Sequence, residues 1–206
     1  MWGVDTVGVL LAAGAGSRYG SPKALAHGGA WLRAAVAALR EGGCAEVLVV
    51  LGASAEPARS LVPARVTVVV AVDWAEGMSA SLRAGLRAAQ GTAAARALLH
   101  LVDTPDVGAD VVARVLATGA PLARAAYGGR GRHPVLLGRE HWAEVVLTAT
   151  GDHGARGFLR GRADVLAVEC GDLASGVDID TPELDTPEPD TPELDTPEID
   201  TARPAR

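Results

Sequence analysis

Cysteine is scarce in this chain, and its two copies, Cys44 and Cys170, lie outside any Cys-x-x-Cys pair. Two separate cysteines are too few for a zinc cluster or a disulfide framework. Long hydrophobic runs are also missing, since no apolar stretch reaches the roughly 18 residues that span a bilayer. The apolar run VGVLLAAGAG follows Asp5 and no basic residue, which a signal peptide would need. We therefore expect a reduced, cytoplasmic protein without a membrane partner.

A basic excess is missing as well. The formal net charge is −6, but residues 178–206 alone hold ten acidic residues and two arginines. Residues 1–177 hold 15 acidic and 17 basic residues, so the body of the chain is nearly neutral. Proteins that bind nucleic acids normally carry a strong basic excess or stripe. We therefore expect no nucleic-acid partner.

Short β-branched or leucine-rich runs alternate with alanine-rich stretches along the chain. With 206 residues and 49% hydrophobic content, the chain can bury one sizeable core. The alternation predicts a mainly parallel sheet covered by helices on both faces, with ligands at the carboxyl ends of the strands. The predicted strands are 6–12, 46–51, 66–72, 97–102, 122–127, 133–137 and 165–169, and the predicted helices are 30–41, 55–61, 79–89, 109–117, 139–147 and 155–160.

A glycine-rich stretch follows the first predicted strand. Residues 11–25 read LAAGAGSRYGSPKAL, with Gly14, Gly16 and Gly20 in the turn. A glycine-rich turn that leaves a strand exposes consecutive backbone N–H groups, which bind phosphate together with cationic side chains. The spacing G-x-G-x-x-x-G differs from the dinucleotide-binding G-x-G-x-x-G, and the Gly-Lys-Ser/Thr of a P-loop does not occur here. We call residues 13–22 the glycine loop.

Lys23, directly after the glycine loop, is the only lysine among 19 basic residues. The other 18 basic residues are arginines. The use of lysine at this one position indicates that the site requires a compact ammonium group. The alternative is a solvated loop residue without a role. Since Arg18 lies in the same stretch, the sequence favours phosphate binding by both cations.

Residues 11–25 match LAAGxGxRxGxPKxL and thereby resemble the MobA-like NTP transferase family, especially its molybdenum cofactor cytidylyltransferase (MocA) group. The resemblance extends over about residues 5–184. It also covers EGMSASLRAGL at 76–86, LVDTPDV at 101–107, RHPVLL at 132–137, GDHGAR at 151–156 and VDIDTPEL at 177–184.

The resemblance implies a fold and an activity. The fold is a three-layer αβα Rossmann-like nucleotidyltransferase (GT-A-like) fold with a mainly parallel mixed sheet. The activity is Mg²⁺-dependent transfer of a nucleoside monophosphate from an NTP to a phosphorylated acceptor such as molybdopterin, with release of pyrophosphate. A molybdoenzyme would receive the cofactor, and we expect a monomer. CTP is favoured over GTP, because residues 11–14 read LAAG where guanylyl-transferring relatives tend to read LAGG.

The resemblance further implies roles for individual residues. Arg18 and Lys23 would hold the β- and γ-phosphates and, with Asp103, form the catalytic set. Ser79 and Ser81 would contact base or ribose, although serine at the start of a helix also caps it. The full nucleotide-binding set is Leu11, Ala12, Ala13, Gly14, Ala15, Gly16, Arg18, Lys23, Gly77, Ser79 and Ser81.

Two carboxylates are implied as Mg²⁺ ligands, since hard oxygen ligands suit this cation. Asp103 follows an apolar strand and matches the D-x-P motif of the family, with Thr104 where Met or Gln is more usual. A helix N-cap is its alternative role. Asp180, in the motif D-x-D-T-P-E, would complete the site, and Asp178 is an alternative ligand.

The acceptor side is implied by weaker matches. His133 and Pro134 resemble the family motif G-H-P, but Arg132 stands where glycine is common. Asp152, His153 and Arg156 of GDHGAR would also face the acceptor, with Arg156 suited to a phosphate group. A surface or structural role is the alternative for His153.

The pentamer Asp-Thr-Pro-Glu-(Leu/Pro/Ile) recurs from Asp180 onward, whereas the family has one copy. The copy within residues 177–184 resembles the working one, with Thr181 as N-cap and Pro182 opening a helix. The later prolines rule out a continuous helix. We therefore predict a transferase domain over 1–184 and an extended, solvated acidic tail over 185–206. An array that binds Ca²⁺ or a basic partner is the alternative for the tail.

Two other functions stay open. Some actinobacterial MobA-like chains are named nicotine blue oxidoreductases, so a redox role on this scaffold is one alternative, although the sequence has no flavin or dinucleotide fingerprint. A non-catalytic nucleotide-binding or cofactor-chaperone module is the other. Asp103 and Asp180 argue against it, because binding alone needs fewer precisely placed carboxylates.

Overall fold

A computed structural model of the chain describes residues 6–185. The predicted tail from residue 186 onward lies outside the described residues. The strands are β1 (Thr6–Ala12), β2 (Glu46–Leu51), β3 (Thr67–Val70), β4 (Arg96–Leu101), β5 (Leu122–Tyr127), β6 (Arg130–Gly138) and β7 (Leu166–Glu169). The α-helices are α1 (Ala26–Glu41), α2 (Ala55–Arg59), α3 (Met78–Gln90), α4 (Ala109–Ala117), α5 (Arg139–Thr148) and α6 (Arg156–Leu159).

The strands form one sheet in the order β3-β2-β1-β4-β6-β5-β7. β6 runs antiparallel to its neighbours β4 and β5, and the other neighbouring pairs are parallel. Helices cover both faces, because the crossover between two parallel strands places a helix on the sheet. The predicted three-layer αβα fold with a mainly parallel mixed sheet is confirmed.

The two faces of the sheet are buried in separate cores. β1 is buried along its whole length, and its alternate side chains enter opposite cores. Leu10 belongs to the core that contains Leu39 of α1. Val9 belongs to the core that contains Leu86 of α3 and Trp142 of α5. A strand buried on both faces is a continuous apolar run, which explains why the sequence predicts β1 correctly.

Some element bounds differ from the predictions for local backbone reasons. Residues 27–29, at the start of α1, have positive φ, so the regular part of this helix begins at Ala30, as predicted. β3 ends at Val70 and not at the predicted residue 72. The chain turns there, and the Trp74 N–H donates to the Ala71 carbonyl at 3.2 Å.

β6 begins three residues earlier than predicted, because β5 and β6 form a hairpin through Gly128 and Gly129. Glu169, at the end of β7, accepts the backbone N–H groups of both glycines at 2.9 and 3.1 Å. These hydrogen bonds lower the pKa of Glu169, so it stays ionised and holds the hairpin tip. Pro134 offers no N–H to the ladder, and the register with β5 shifts in this part of β6.

Cys44 and Cys170 are unpaired and buried. Burial raises the pKa of the Cys44 thiol to about 12, which makes it a poor nucleophile. Between residues 6 and 185, none of the helices combines the length and apolar composition needed to cross a membrane.

Candidate active site

The glycine loop and Asp103 emerge side by side at the carboxyl edge of the parallel strands. β1 and β4 are parallel neighbours, with Leu11 opposite Leu101. The glycine loop follows β1 directly, and Asp103 follows β4 by two residues. Because neighbouring parallel strands end at the same edge of the sheet, the topology brings the glycine loop and Asp103 together. Ligands bind at this edge of open α/β sheets.

Glycines give the loop its tight course. The Gly20 N–H donates to the Gly16 carbonyl at 2.8 Å, and Gly16 has a φ of 64°. A Cβ on Gly16 would lie 1.8 Å from the carbonyl oxygen of Ser21, so any other residue would displace the backbone. The loop leads into a 3₁₀ turn over Lys23–Leu25, which brings Lys23 to the end of β4.

Lys23 bonds both carboxylates that the sequence predicts as metal ligands. Its Nζ lies 2.8 Å from Oδ2 of Asp103 and 2.8 Å from Oδ1 of Asp180. Arg18 is 3.0 Å from the other oxygen of Asp180. Burial lowers the pKa of Lys23, but its two hydrogen bonds raise it, and the net shift is upward. The bond from Lys23 lowers the pKa of Asp180, so this carboxylate is ionised at neutral pH.

Backbone hydrogen bonds bring the C-terminal segment to this edge. The Ile179 N–H donates to the carbonyl of Asp103 at 2.8 Å. The carboxylate of Asp106 accepts the backbone N–H groups of Ser175 at 2.7 Å and Gly176 at 3.2 Å. The D-x-D motif is therefore fixed against the end of β4. Pro182 opens a short 3₁₀ turn, Pro182–Asp185, where the sequence predicts a helix start.

Asp103 has a free oxygen suited to a cation. Its Oδ1 is buried and has no hydrogen-bond partner among the described residues. α4 has its N-cap at Gly108, so Asp103 does not cap that helix. Within residues 6–185, no three His, Cys, Asp or Glu side chains are grouped to hold a metal by themselves. Asp103 and Asp180 thus fit a divalent cation that brings further oxygen ligands, as phosphate and water do.

A cavity of about 470 Å³, which we call the first cavity, lies between the glycine loop and α3. Gly77, at the start of α3, has a φ of 105°, and a Cβ there would lie 2.3 Å from the carboxylate of Asp152. The position therefore requires glycine. The predicted nucleotide-binding and metal-binding residues in the cavity wall are Leu11, Ala12, Ala13, Gly14, Ala15, Gly16, Arg18, Lys23, Gly77, Ser81, Asp103 and Asp180.

Ser79 is the predicted nucleotide-binding residue that the structure places away from the first cavity. Its side chain is fully buried, and its hydroxyl has no hydrogen-bond partner in the described part of the chain. Ser79, Leu82 and Leu86 follow the spacing of one helix face, and this face of α3 packs on the sheet. Ser81 lies on another face of α3, which lines the cavity.

Trp74 is a cavity residue that the sequence reasoning missed. It begins a 3₁₀ turn, Trp74–Glu76, after β3 and lines the first cavity. β3 lies three strands from β4 in the sheet, so Trp74 and Asp103 follow strands that are far apart in the strand order. The available signal was a tryptophan two residues after the carboxyl end of a predicted strand, in a chain with 3% aromatic residues.

A second cavity, of about 330 Å³, adjoins the first, because Met78, Leu101 and Asp152 line both. The structure brings the predicted acceptor residues together here. Four arginines line this cavity, of which only Arg156 was predicted as a site residue. The lining includes Arg124, Arg130, Arg132, His133, Asp152, Arg156 and Asp178.

The positive charge of the second cavity comes from its arginines. Burial lowers the pKa of His133 to about 4, so this histidine is neutral at pH 7. Burial and the nearby Asp103 raise the pKa of Asp178, whose carboxylate lies 3.7 Å from Arg132. Asp178 therefore lines the second cavity, whereas Asp180 lines the first.

Known proteins share this architecture. Residues 8–166 match the MobA-like NTP transferase domain. The chain is 38% identical over 192 residues to the nicotine blue oxidoreductase of Paenarthrobacter nicotinovorans, over 85% of this chain and 92% of that protein. It resembles the crystal structure of Rv0371c from Mycobacterium tuberculosis H37Rv, with a TM-score of 0.74 and 28% identity over 89% of this chain and 96% of that one. A complex of Rv0371c with manganese gives a TM-score of 0.69 at 26% identity, over 84% and 93% of the two chains.

A nucleotidyl transferase from Methanothermobacter thermautotroptrophicus has a TM-score of 0.71 at 22% identity, over 86% of this chain and 92% of that one. At this identity the likeness shows the fold alone. Fold and family together define a nucleotidyltransferase with a Rossmann-like fold. The chain belongs to the MobA-like NTP transferase family.

Proposed function

We propose that this protein transfers a nucleoside monophosphate, preferably CMP, from an NTP to a phosphorylated small molecule with the help of Mg²⁺. The observation that carries the proposal is the position of the Lys23 ammonium, 2.8 Å from both Asp103 and Asp180 beside the glycine loop. Fixed cations and loop N–H groups suit a triphosphate, and the two carboxylates suit its metal ion. The adjoining second cavity supports an acceptor site beside the nucleotide.

The chemistry is an attack by an acceptor phosphate oxygen on the α-phosphorus of the NTP. The bond between the α-phosphorus and the α,β-bridging oxygen breaks, and its electron pair leaves with pyrophosphate. Arg18, Lys23 and the N–H groups of the glycine loop hold the β- and γ-phosphates and stabilise the charge that develops on them. A phosphate monoester already carries an unprotonated oxygen, so the reaction needs no side-chain base.

Asp103 and Asp180 would hold the divalent cation, which neutralises phosphate charge when bound. Lys23 lies between these carboxylates, so it would shift its hydrogen bonds to phosphate oxygens when the nucleotide and cation enter. The manganese complex of Rv0371c supports a divalent cation in this fold.

The arginines of the second cavity support an anionic acceptor. Nε of Arg124 is buried, with no hydrogen-bond partner in the part of the chain that the structure describes. A buried donor of this kind is costly unless an acceptor oxygen reaches it. With Arg130, Arg132 and Arg156 it suits a phosphate group, since the guanidinium group binds phosphate in a bidentate manner. Molybdopterin, a phosphate monoester, has this chemistry.

Trp74, which follows β3 and lines the first cavity, supports binding of the nucleobase in this cavity. Stacking of a base on an aromatic side chain contributes roughly 1–3 kcal/mol. The backbone of residues 11–14 lines the same cavity and offers hydrogen-bonding groups to the edge of the base. The LAAG sequence of this segment supports CTP over GTP.

Pyrophosphate release tests the proposal. The protein is incubated with Mg²⁺, each of the four common NTPs in turn, and phosphorylated acceptors that include molybdopterin. We expect release that requires both Mg²⁺ and an acceptor and is fastest with CTP. Absence of release with every pair of nucleotide and acceptor would refute the transferase proposal.

A redox role is the second candidate, because the relative with 38% identity is named nicotine blue oxidoreductase. The same reaction mixtures distinguish the two functions when NADH or NADPH and candidate dyes are added. Oxidation of NADH or NADPH without pyrophosphate release would favour the redox role. Pyrophosphate release without such oxidation would favour the transferase.

We further propose a cytoplasmic monomer that delivers its product to a molybdoenzyme, as the family resemblance implies. Size-exclusion chromatography with light scattering tests the monomeric state. Co-purification with a molybdoenzyme from the native host tests the delivery step.

A further inference from the structure

The chain after Asp180 returns to the glycine loop within one short turn. The 3₁₀ turn Pro182–Asp185 ends at Asp185, whose carboxylate accepts a hydrogen bond from the Tyr19 hydroxyl. Nε2 of His27 lies 2.6 Å from the same carboxylate oxygen. The Asp185 side chain is 14% exposed, so the body of the protein covers most of it. We call Asp185, Tyr19 and His27 the Asp185 clasp.

Both partners of Asp185 rest on the buried core. The rings of Tyr19 and His27 lie 5.4 and 5.6 Å from the ring of Trp31 in α1. Trp31 is 7% exposed and belongs to the core on that side of the sheet. The hydrogen bond to Asp185 and partial burial raise the pKa of Tyr19 to about 12, so its hydroxyl remains a donor. The two partners are therefore held by packing on Trp31.

The backbone at His27 is an independent sign of a special position. His27 has a φ of 48° and a ψ of 44°, a left-handed conformation that is unfavourable for a residue with a Cβ. Such strain persists where the surrounding structure fixes the residue, and it is concentrated at functional sites. Here the conformation turns the chain between Lys23 and the regular part of α1, which begins at Ala30, and the imidazole reaches Asp185.

Asp180 and Asp185 hold equivalent positions in successive pentamers, and both bind the region around the glycine loop. Asp180 bonds Lys23 and Arg18, and Asp185 bonds Tyr19 and His27. We propose that Asp185 is a positioning residue that fastens the C-terminal segment to the glycine loop and thereby holds Asp180 in place as a metal ligand. This inference rests on the proposed function, because it concerns the metal site of that reaction.

The clasp gives Asp180 a second attachment point. Asp180 is 37% exposed, and upstream the segment is fixed by the bond from Ile179 to Asp103. Without the clasp, residues 181–185 would lose a contact on the downstream side, and Asp180 would spend less time near Asp103. A divalent cation needs both carboxylates at once, so its affinity should fall by about tenfold.

The test uses the full-length protein and Mn²⁺ alone as the probe, with free Mn²⁺ measured by electron paramagnetic resonance. The variants are Asp185→Ala, Tyr19→Phe and their combination, and Tyr19→Phe removes only the hydroxyl from the ring that packs on Trp31. Asp190→Ala, the same substitution in the next pentamer, is the matched control. We expect about tenfold weaker Mn²⁺ binding in Asp185→Ala and a smaller loss in Tyr19→Phe, which keeps the contact between His27 and Asp185. The double variant should bind as weakly as Asp185→Ala, and Asp190→Ala should bind as the parent does.

The proposal is overturned if Asp185→Ala binds Mn²⁺ as the parent does. It is also overturned if Asp190→Ala weakens binding equally, because the loss would then come from the net charge of the tail and not from Asp185. Additive losses in the double variant would also overturn it, because Tyr19 and Asp185 would then act separately. So would a parent that does not bind Mn²⁺. Thermal unfolding of each variant separates positioning from general destabilisation, since positioning leaves the melting temperature near that of the parent.

The same proteins distinguish this proposal from the proposed function. A parent that binds Mn²⁺ in a clasp-dependent manner, yet releases no pyrophosphate with any NTP, would support the clasp and reject the transferase. A parent that turns over while Asp185→Ala keeps the same Mn²⁺ requirement would support the transferase and reject the clasp.

Discussion

Lys23 and Asp180 are 157 residues apart in the sequence, and a 2.8 Å hydrogen bond joins them. The bond links the glycine loop, near the start of the chain, to the repeat motif near the end of the described residues. Asp103 accepts a hydrogen bond from the same ammonium group, so three segments that are distant in the sequence meet at Lys23. Each of them follows or adjoins the carboxyl edge of the parallel strands, where this fold binds ligands.

Substitution of Lys23 tests the phosphate-binding role. Lys23→Ala should lower turnover by about 10²–10³-fold, because one donor to the leaving phosphates is lost. Mn²⁺ should bind more tightly in the absence of nucleotide, since the ammonium no longer competes for Asp103 and Asp180. Arg59→Ala removes an exposed cation of α2 and is the control for net charge. Near-parental turnover in Lys23→Ala would remove this residue from the mechanism.

Substitution of Asp103 tests the metal site. Asp103→Asn should abolish most Mg²⁺-dependent turnover and recover part of it with Mn²⁺, because an amide oxygen is a weaker, neutral ligand. Turnover is measured against metal concentration for both cations. Asp110→Asn, at an exposed position of α4, should match the parent. An unchanged Mg²⁺ dependence in Asp103→Asn would mean that the assignment is wrong.

Trp74 gives the first cavity a spectroscopic probe. Trp74→Leu should raise the KM for the NTP by roughly tenfold at nearly unchanged kcat, since base stacking contributes about 1–3 kcal/mol to binding. Nucleotide should quench tryptophan fluorescence in the parent and not in Trp74→Leu. Trp74→Phe keeps an aromatic ring and should retain most of the affinity. Full quenching in Trp74→Leu would assign the signal to another tryptophan.

Arg156 separates acceptor binding from nucleotide binding. Arg156→Ala should raise the KM for a phosphorylated acceptor by about tenfold or more, because charge-assisted hydrogen bonds are strong. The KM for the NTP should stay the same, since Arg156 lines the second cavity and not the first. Arg160→Ala, an exposed arginine just after α6, is the control. Equal increases in both KM values would contradict separate cavities.

The burial of His100 should make the stability of the fold depend on pH. It is fully buried in β4, neither ring nitrogen has a partner within residues 6–185, and burial lowers its pKa to about 3. The unfolded chain has a histidine pKa of about 6.5, so below that pH the unfolded state binds the proton first. The free energy of unfolding is therefore unaffected by this titration above pH 6.5 and decreases as the pH falls, by roughly 3 kcal/mol at pH 4.

Urea unfolding at pH 7 and pH 4 measures this loss. His100→Leu removes the titrating group and should lose less stability between the two pH values than the parent. His153→Leu, at an exposed position, should behave as the parent does. A parent and a His100→Leu variant with the same pH dependence would disprove the role of His100.

Part of this architecture could be predicted from the sequence, because burial leaves a local pattern. β1 is a continuous apolar run, and Asp103 is a carboxylate directly after another such run. Ser79 is predicted to bind nucleotide but lies buried in the structure, because the local sequence does not say which face of α3 packs on the sheet. Arg124 and Arg130 could not be assigned, since they meet only when β5 and β6 pair.

The repeat tail shows another limit of sequence reasoning. Asp185 and the later aspartates occupy the same position in similar pentamers, so the sequence assigns them one solvated role. The contacts of Asp185 with Tyr19 and His27 join segments more than 150 residues apart, so the local sequence cannot reveal them. The predicted domain boundary before Asp185 therefore cuts through a contact.

The direction of β6 has a consequence for how such enzymes diversify. Because β6 is antiparallel, its first residues, among them Arg130 and Arg132, lie at the edge where the parallel strands end. Glu169 holds the tip of the β5–β6 hairpin through the backbone N–H groups of Gly128 and Gly129. This contact therefore does not depend on the side chains of β6. Much of the second cavity thus comes from one contiguous segment, residues 122–138, while the glycine loop, Trp74 and Asp103 belong to the parallel half of the sheet. Under the proposed function, we expect that grafting this segment between homologues alters acceptor preference and leaves nucleotide binding unchanged.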